Sequence, residues 1–272
     1  MLKDITLGQY FPGNSFFHKL DPRIKIIAMI IFVVGVFAAS SLLSYAALTL
    51  FVLICCIVSR ISIKVIVKGL KPIFFITVIM GIINLFFTRG ENPLVSFGII
   101  NIYPEGLVSA VFITLRIICL VAGTGVLLTY TTSPNVLSDA IESLLSPLKL
   151  VKIPVHDFAM IMNIALRFIP TIIEETDRIM SAQKARGADF ETGSVINRAK
   201  ALLPVLIPLL ATEINRAAEL ANAMECRCYN GGEGRTRMKE MKISFRDPVF
   251  LAIVTAFAAG MFFIAGVKPF GY

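Results

Sequence analysis

"IKIIAMIIFVVGVFAASSLLSYAALTLFVLICCIVS", residues 24–59, is an apolar run about twice as long as one helix needs to cross a hydrocarbon core roughly 30 Å thick. The cluster "ASSLLSY" at 39–45 is the natural place to fold it into two spans. The rest of the chain agrees with a membrane location. Its 272 residues are 56% hydrophobic and only 16% charged, whereas soluble proteins carry about 25% charged residues. Further apolar stretches near 72–88, 107–130 and 248–267 raise the expected number of spans to five. In a soluble chain the net charge of +8 would point to nucleic acid. In a membrane protein, Lys and Arg collect in cytoplasmic loops and set the topology, so no nucleic-acid partner is expected.

The flanking charges give the orientation. His18, Lys19, Arg23 and Lys25 precede the first span, and Arg60, Lys64, Lys68 and Lys71 join the second to the third, which places both segments in the cytoplasm. The uncharged "SSLLS" and the loop where Glu91 and Glu105 outweigh Arg89 suit the outside. The N-terminus is then inside and the C-terminus outside. "MLKDITLGQYFPGNS" lacks the pattern of a cleaved signal peptide, so targeting is expected to fall to the first span. Of the five cysteines, Cys55, Cys56 and Cys119 lie in apolar segments and Cys226 and Cys228 flank Arg227, a poor disulfide framework.

Three regions follow: a membrane domain of four spans (1–131), a cytoplasmic region (132–247) and a last span (248–272). The middle region interleaves acidic and basic residues. "TSPNVLSDAIESLLSPL" (132–148) opens with Ser133 as N-cap and Pro134 at the first helical position, and its apolar residues keep one face of a short amphipathic helix. A longer 3.6-residue pattern runs from Val155 to Gly187, with Pro170 inside it expected to kink or split the helix. A third pattern, about 195–228, carries Pro204 and Pro208 early and stops at "NGG". Both long patterns hold too many charges for a clean span, yet "ALLPVLIPLLA" (201–211) is too apolar for an ordinary soluble surface. The expected compromise is a pair of long amphipathic helices at the cytoplasmic face, with their C-terminal tips projecting to a partner.

Each tip ends in an arginine: "KARGADF" (184–190) holds Arg186 between Ala185 and Gly187, and "MECRCYNGG" (224–232) holds Arg227 between Cys226 and Cys228. Small neighbours let a partner's backbone approach, leaving a planar five-donor fork suited to bidentate pairing with a carboxylate. The competing reading of one such arginine is a favourable interaction with the helix dipole and its free carbonyls. Two of them, closing consecutive long helices in similar surroundings, favour docking into two equal sockets. The chain has no phosphate loop of its own, because "GGEGRTR" (231–237) lacks the Lys-Ser/Thr pair and the strand-to-helix setting. Paired tips without ATP-binding machinery fit the membrane partner of a dimeric ATPase.

The segments "GQYFPGNSFFHKLDPRIK" (8–25), "ALRFIPTIIEETDRIMSAQKARGADF" (165–190) and "RAAELANAMECRCYNGGEGRTR" (216–237) resemble the transmembrane coupling (T) component of energy-coupling factor (ECF) transporters, the EcfT family. That family carries two Ala-Arg-Gly-type motifs. The first is intact here as Ala185, Arg186 and Gly187, and the second stands as Cys226, Arg227 and Cys228, so only its arginine is kept. The resemblance implies an all-α membrane protein with two long crossed helices whose tips engage two cytoplasmic ABC ATPase subunits. It also implies a membrane-embedded, substrate-binding S component as partner, and import of a vitamin or other micronutrient across a prokaryotic plasma membrane. ATP and Mg would be bound by the ATPase subunits, with no cofactor, metal or catalytic residue in this chain. Pro170, Pro204, Pro208 and Gly193 are candidate pivots for transmission, although prolines also occur in bundled helices whose neighbours satisfy the freed carbonyls.

The main alternative is the permease subunit of a conventional ABC importer, which usually presents one coupling helix per chain and works in pairs. A secondary carrier would show matching broken, Gly-rich spans in two halves, and none is found. Ala252, Ala256 and Gly260 at four-residue spacing fit either internal packing or an S-component surface. Arg116 inside the fourth span is read as snorkelling or pairing within the protein. Asp157, Glu174, Glu175 and Asp177 read as ion-pair partners on solvated faces.

Overall fold

The structure is a computed structural model that describes residues 10–87, 95–97, 100–147, 154–190, 192, 194–231, 241 and 243–266. Among these, Gly193, Arg89 and Glu91 are not included. Among the described residues the regular structure is helical apart from one short hairpin, and the chain divides into two compact units. One contains the described residues of Gly8–Leu137 and Met241–Tyr272, the other those of Ser138–Glu240.

In the first unit, α1 (Pro22–Ala38) starts where Asp21 accepts a hydrogen bond from the Arg23 amide at 2.9 Å, with Pro22 at the first helical position. The break at Ala39–Ser41 follows from the next cap. Ser41 and Ser44 exchange side-chain and backbone bonds in a capping box that starts α2 (Leu42–Ser59). α3 (Ile63–Phe87) then runs for 25 residues through Pro72. The sequence reading placed Lys64, Lys68 and Lys71 in a loop before a span near 72–88; instead they occupy the first turns of α3. Ile66, buried among them, gives that segment its own apolar anchor. The connection to α4 contains a two-stranded antiparallel hairpin, β1 (Val95–Phe97) and β2 (Ile100–Ile102), with Val95 opposite Ile102. Strands of three residues are too short for hydropathy alternation to reveal.

α4 (Pro104–Thr124) continues into a π-helical turn, Gly125–Thr129, and α8 (Arg246–Gly266) closes the unit. Ala28, Phe32, Val36, Leu48, Val126 and Val254, all wholly buried, form the core shared by α1, α2, α4 and α8. α1 and α8 approach closely at Gly35, where an added Cβ would lie 3.3 Å from Ala258. The close small-residue contact of α8 therefore runs through Ala258. Ala252 and Ala256 are exposed on another face, and an added Cβ at Gly260 would meet open space.

The second unit holds α5 residues from Ser138 onward (α5, Pro134–Leu144), α6 (Val155–Ala185) and α7 (Val195–Cys226). Asn163 donates to Asp139 at 2.9 Å and His156 meets Glu142 at 3.1 Å, which ties α5 to the start of α6. Among the described residues, six helices could cross a membrane by length and composition: α2, α3, α4 with its π turn, α6, α7 and α8. α1, at 17 residues, stands at the lower limit for spanning. The sequence reading counted α1 as a span and α6 and α7 as surface helices. The latter two are apolar enough over part of their length because their charges are unevenly placed. Residues 155–172 carry only Asp157 and Arg167, and 201–212 carry no charged side chain, so the charges of α6 concentrate in its second half, while those of α7 flank an apolar middle, with Arg198 and Lys200 before it and Glu213 to Glu225 after it.

Candidate functional site

The two helix ends singled out by sequence have the same backbone geometry. At the end of α6 the Gly187 amide donates to the Lys184 carbonyl at 3.0 Å and the Ala188 amide to the Gln183 carbonyl at 3.0 Å. At the end of α7 the Cys228 amide donates to Glu225 at 2.9 Å and the Tyr229 amide to Met224 at 3.0 Å. Both are Schellman closures, with Arg186 and Arg227 as the C-cap residues and the next residue in the left-handed region. Gly187 takes φ of 90° without cost, whereas Cys228 holds φ of 56° with a side chain attached. The altered flanks of the second motif thus leave its backbone path unchanged.

That comparison carries a prediction. A left-handed non-glycine residue costs roughly 1–2 kcal/mol, partly offset by the greater entropy loss of a glycine. Cys228→Gly is therefore expected to steady the end of α7 by about 1 kcal/mol and to slow hydrogen exchange at the Tyr229 amide about fivefold. Faster exchange in the variant would show that the closure is not strained.

Arg186, Arg227 and their neighbours Ala185, Gly187, Cys226 and Cys228 are all exposed. Neither guanidinium has a hydrogen-bond or ion-pair partner among the described residues. The helices behind them are joined by Arg216 of α7, whose Nη2 meets Glu175 Oε2 of α6 at 3.0 Å while its Nη1 meets Glu213 Oε1 at 2.6 Å. Further along, Gln183 Nε2 donates to the Pro204 carbonyl at 3.4 Å. Since α6 advances from Glu175 to Gln183 while α7 retreats from Arg216 to Pro204, the helices run in opposite senses past each other. Arg186 lies eleven residues after Glu175, and Arg227 eleven residues after Arg216. Each tip is thus about 16 Å of helix beyond the same ion pair, and the two tips lead away in opposite directions. Pro170, Pro204 and Pro208 sit inside unbroken helices, so Pro170 does not split α6.

The first unit contains a polar cluster that sequence reasoning missed. Lys25, read as part of a cytoplasmic flank, is 2% exposed within α1. Its Nζ donates to the Thr131 carbonyl at 3.2 Å and to Thr132 Oγ1 at 3.1 Å, just past the π turn. Nearby, buried Asp247 accepts from the Asp21 amide at 2.8 Å and from the Ser244 amide at 2.6 Å. The residues flanking both covalent connections to the second unit, 131–132 and 244–247, are thereby pinned to the start of α1. Phe17 supports the same junction by edge-to-face packing on Phe250, and the Phe11 amide donates to Tyr130. Arg116 also pairs inside the protein, donating at 2.6 Å to both the Ala39 carbonyl and Tyr45 Oη.

Residues 13–238 match the CbiQ family, described as cobalt transport protein. The chain is 52% identical over 257 residues to the energy-coupling factor transporter transmembrane protein EcfT of Clostridium kluyveri, covering 94% of each chain. It is 51% identical over 257 residues to that of Ruminiclostridium cellulolyticum, covering 94% of this chain and 96% of the relative. Over 265 residues it is 43% identical to that of Bacillus subtilis, covering 97% and 99%. The chain belongs to the EcfT family. As an EcfT-family member with six apolar helices of spanning length among its described residues, it is a multi-pass membrane protein. The match takes in all of α1 to α7 and so includes both arginine-tipped helices and the Lys25 cluster up to Thr132.

Proposed function

We propose that this chain is the coupling subunit of an ECF-type importer. It links ATP binding and hydrolysis in two cytoplasmic ATPase subunits to reorientation of a membrane-embedded S component that carries a vitamin or other micronutrient. The observation that carries the reading is the equivalence of the two tips. Two free guanidiniums cap identical helix closures at equal distance from one ion pair, an arrangement matched to two homologous sockets. ATP and Mg belong to the ATPase subunits, and this chain contributes no catalytic group. The protein lies in a prokaryotic plasma membrane with its N-terminus inside, its C-terminus outside and α5 to α7 serving the cytoplasmic face. The membrane domain is 1–131, the coupling region 132–247 and the final span 248–272.

In this mechanism ATP draws the two ATPase subunits together and moves the sockets around Arg186 and Arg227. The two arms turn about the Glu175–Arg216 junction. Motion passes to the membrane spans through the connections held by Lys25 and Asp247. The decisive experiment is co-expression of the tagged chain with candidate ATPase subunits and measurement of stoichiometry after detergent purification. Two ATPase subunits per chain support the proposal; a chain that recruits none removes its basis.

Pro170, Pro204 and Pro208 are the proposed pivots, because each deletes a backbone donor from an otherwise continuous helix. Pro170→Ala is expected to stiffen α6, leaving ATPase recruitment intact while lowering substrate transported per ATP hydrolysed. An unchanged ratio in proteoliposomes would exclude Pro170 as a pivot.

A further inference from the structure

Between α3 and α4 lies a cavity of about 850 Å³ whose lining is almost wholly apolar, within the range of small-molecule sites. Only 6% of the most apolar stretch of α3 is buried, against 33% for α2 and for α4, so this groove lies along a far less covered helix than its neighbours in the same unit. Its charged residues gather at one end. Lys64, Lys68 and Lys71, all exposed, stand on one edge at the first turns of α3, where the helix dipole adds further positive potential. None of the three makes a hydrogen bond or ion pair among the described residues. On the floor, the Thr77 hydroxyl is already committed to the Ile73 carbonyl at 2.9 Å. An added Cβ at Gly81 would lie 3.5 Å from Thr114 Oγ1, which marks where α3 and α4 approach each other.

We propose that this groove binds one anionic phospholipid, with an acyl chain along α3 and the phosphate at Lys64, Lys68 and Lys71. The dimensions agree. Gly81 lies ten residues beyond Lys71, about 15 Å of helix, which is half of a hydrocarbon core roughly 30 Å thick and so one leaflet. The chemistry agrees as well. An apolar trough in which Thr77 is committed to its own helix and only the Thr114 hydroxyl remains along the floor selects mainly by shape, and unpaired cations at one end select an anionic headgroup. Basic pockets between membrane helices bind lipid headgroups in this way. A partner protein helix would find three cations at one end and a single hydroxyl, that of Thr114, along the floor.

The test uses the full chain purified in detergent and titrated, in native mass spectrometry, with phosphatidylglycerol and phosphatidylcholine of identical acyl chains. At about fivefold per basic residue, three lysines are expected to favour phosphatidylglycerol by at least tenfold. The variant Lys64→Gln, Lys68→Gln, Lys71→Gln should lose that preference while still binding phosphatidylcholine. These side chains are exposed, so the fold is retained, and residual phosphatidylcholine binding reports it. Ala110→Phe, which fills the groove, should weaken both lipids. A photoactivatable phosphatidylglycerol should label residues 64–85 and 107–118, in the chain alone and in the assembled transporter. Equal affinity for the two lipids, a preference that survives the triple substitution, or labelling elsewhere would overturn the proposal. So would loss of labelling on assembly, since that would mean a protein partner occupies the groove.

Discussion

Replacing Arg186 and Arg227 together by alanine is expected to strip both ATPase subunits from the purified chain, whereas either replacement alone leaves a complex with slower coupled hydrolysis. The asymmetry follows from two-point attachment. Truncating a buried, hydrogen-bonded charge at an interface costs about 2–5 kcal/mol, much of it from the carboxylate left unpaired, which weakens that contact by about thirtyfold to a few thousandfold. While one tip holds, the other ATPase remains at high effective concentration, and the single loss is largely masked. Removing both tips removes that protection. Arg186→Lys in the Arg227→Ala background separates charge from geometry, because lysine keeps the charge but not the planar fork. Partial recovery of binding relative to alanine would point to charge, and none to bidentate recognition. If the double alanine variant copurifies with both ATPases and hydrolyses ATP at the wild-type rate, neither arginine is a docking residue.

Local signals announced most of the helices. The break within 24–59 is visible because Ser41 and Ser44 can cap a helix, and the ends of α6 and α7 are visible because Gly187 and "NGG" stop a helical period. The tips were legible for the same reason, as each is a single stretch of a few residues. What escaped sequence reasoning depends on partners distant in the chain. The equal arms are defined by the Glu175–Arg216 pair across 41 positions, and nothing in either helix alone distinguishes these residues from other charges on a solvated face. Glu175 was read as an ion-pair member, but its partner was not. The left-handed turn at Cys228 was hidden because that conformation is signalled by glycine, and here a cysteine adopts it. Lys25 was misplaced most completely. Hydropathy treats a lysine beside a span as a topology marker, while its burial depends on Thr131 and Thr132, more than a hundred residues away.

The buried lysine leads to the second large effect, one of stability. Lys25→Met should cost about 1–3 kcal/mol, the range for leaving buried acceptors without their donor. Methionine fills most of the volume, so the loss is one of hydrogen bonds rather than a cavity. The Thr131 carbonyl and the Thr132 hydroxyl would lose their donor, and the carboxylates of Asp21 and Asp247 would lose the cation that acts on them within the same buried cluster. Asp247→Asn tests the other side. It retains an acceptor for the Asp21 amide but turns a second acceptor into a donor facing the Ser244 amide, and it leaves Lys25 with less compensating charge. If these groups form one unit, the Lys25→Met, Asp247→Asn double variant will cost clearly less than the two single losses combined, because the second change relieves the imbalance created by the first. Thermal unfolding of the detergent-solubilised chain measures this directly, with coupled ATPase activity of the assembled complex as a second reading. Strict additivity would make Lys25 and Asp247 independent, and the junction would then reduce to two separate anchors. A positive coupling would identify the start of α1 as the shared mount for both connections to the arginine-tipped helices. It would also explain why a charged side chain is kept inside a core where an apolar one would pack equally well.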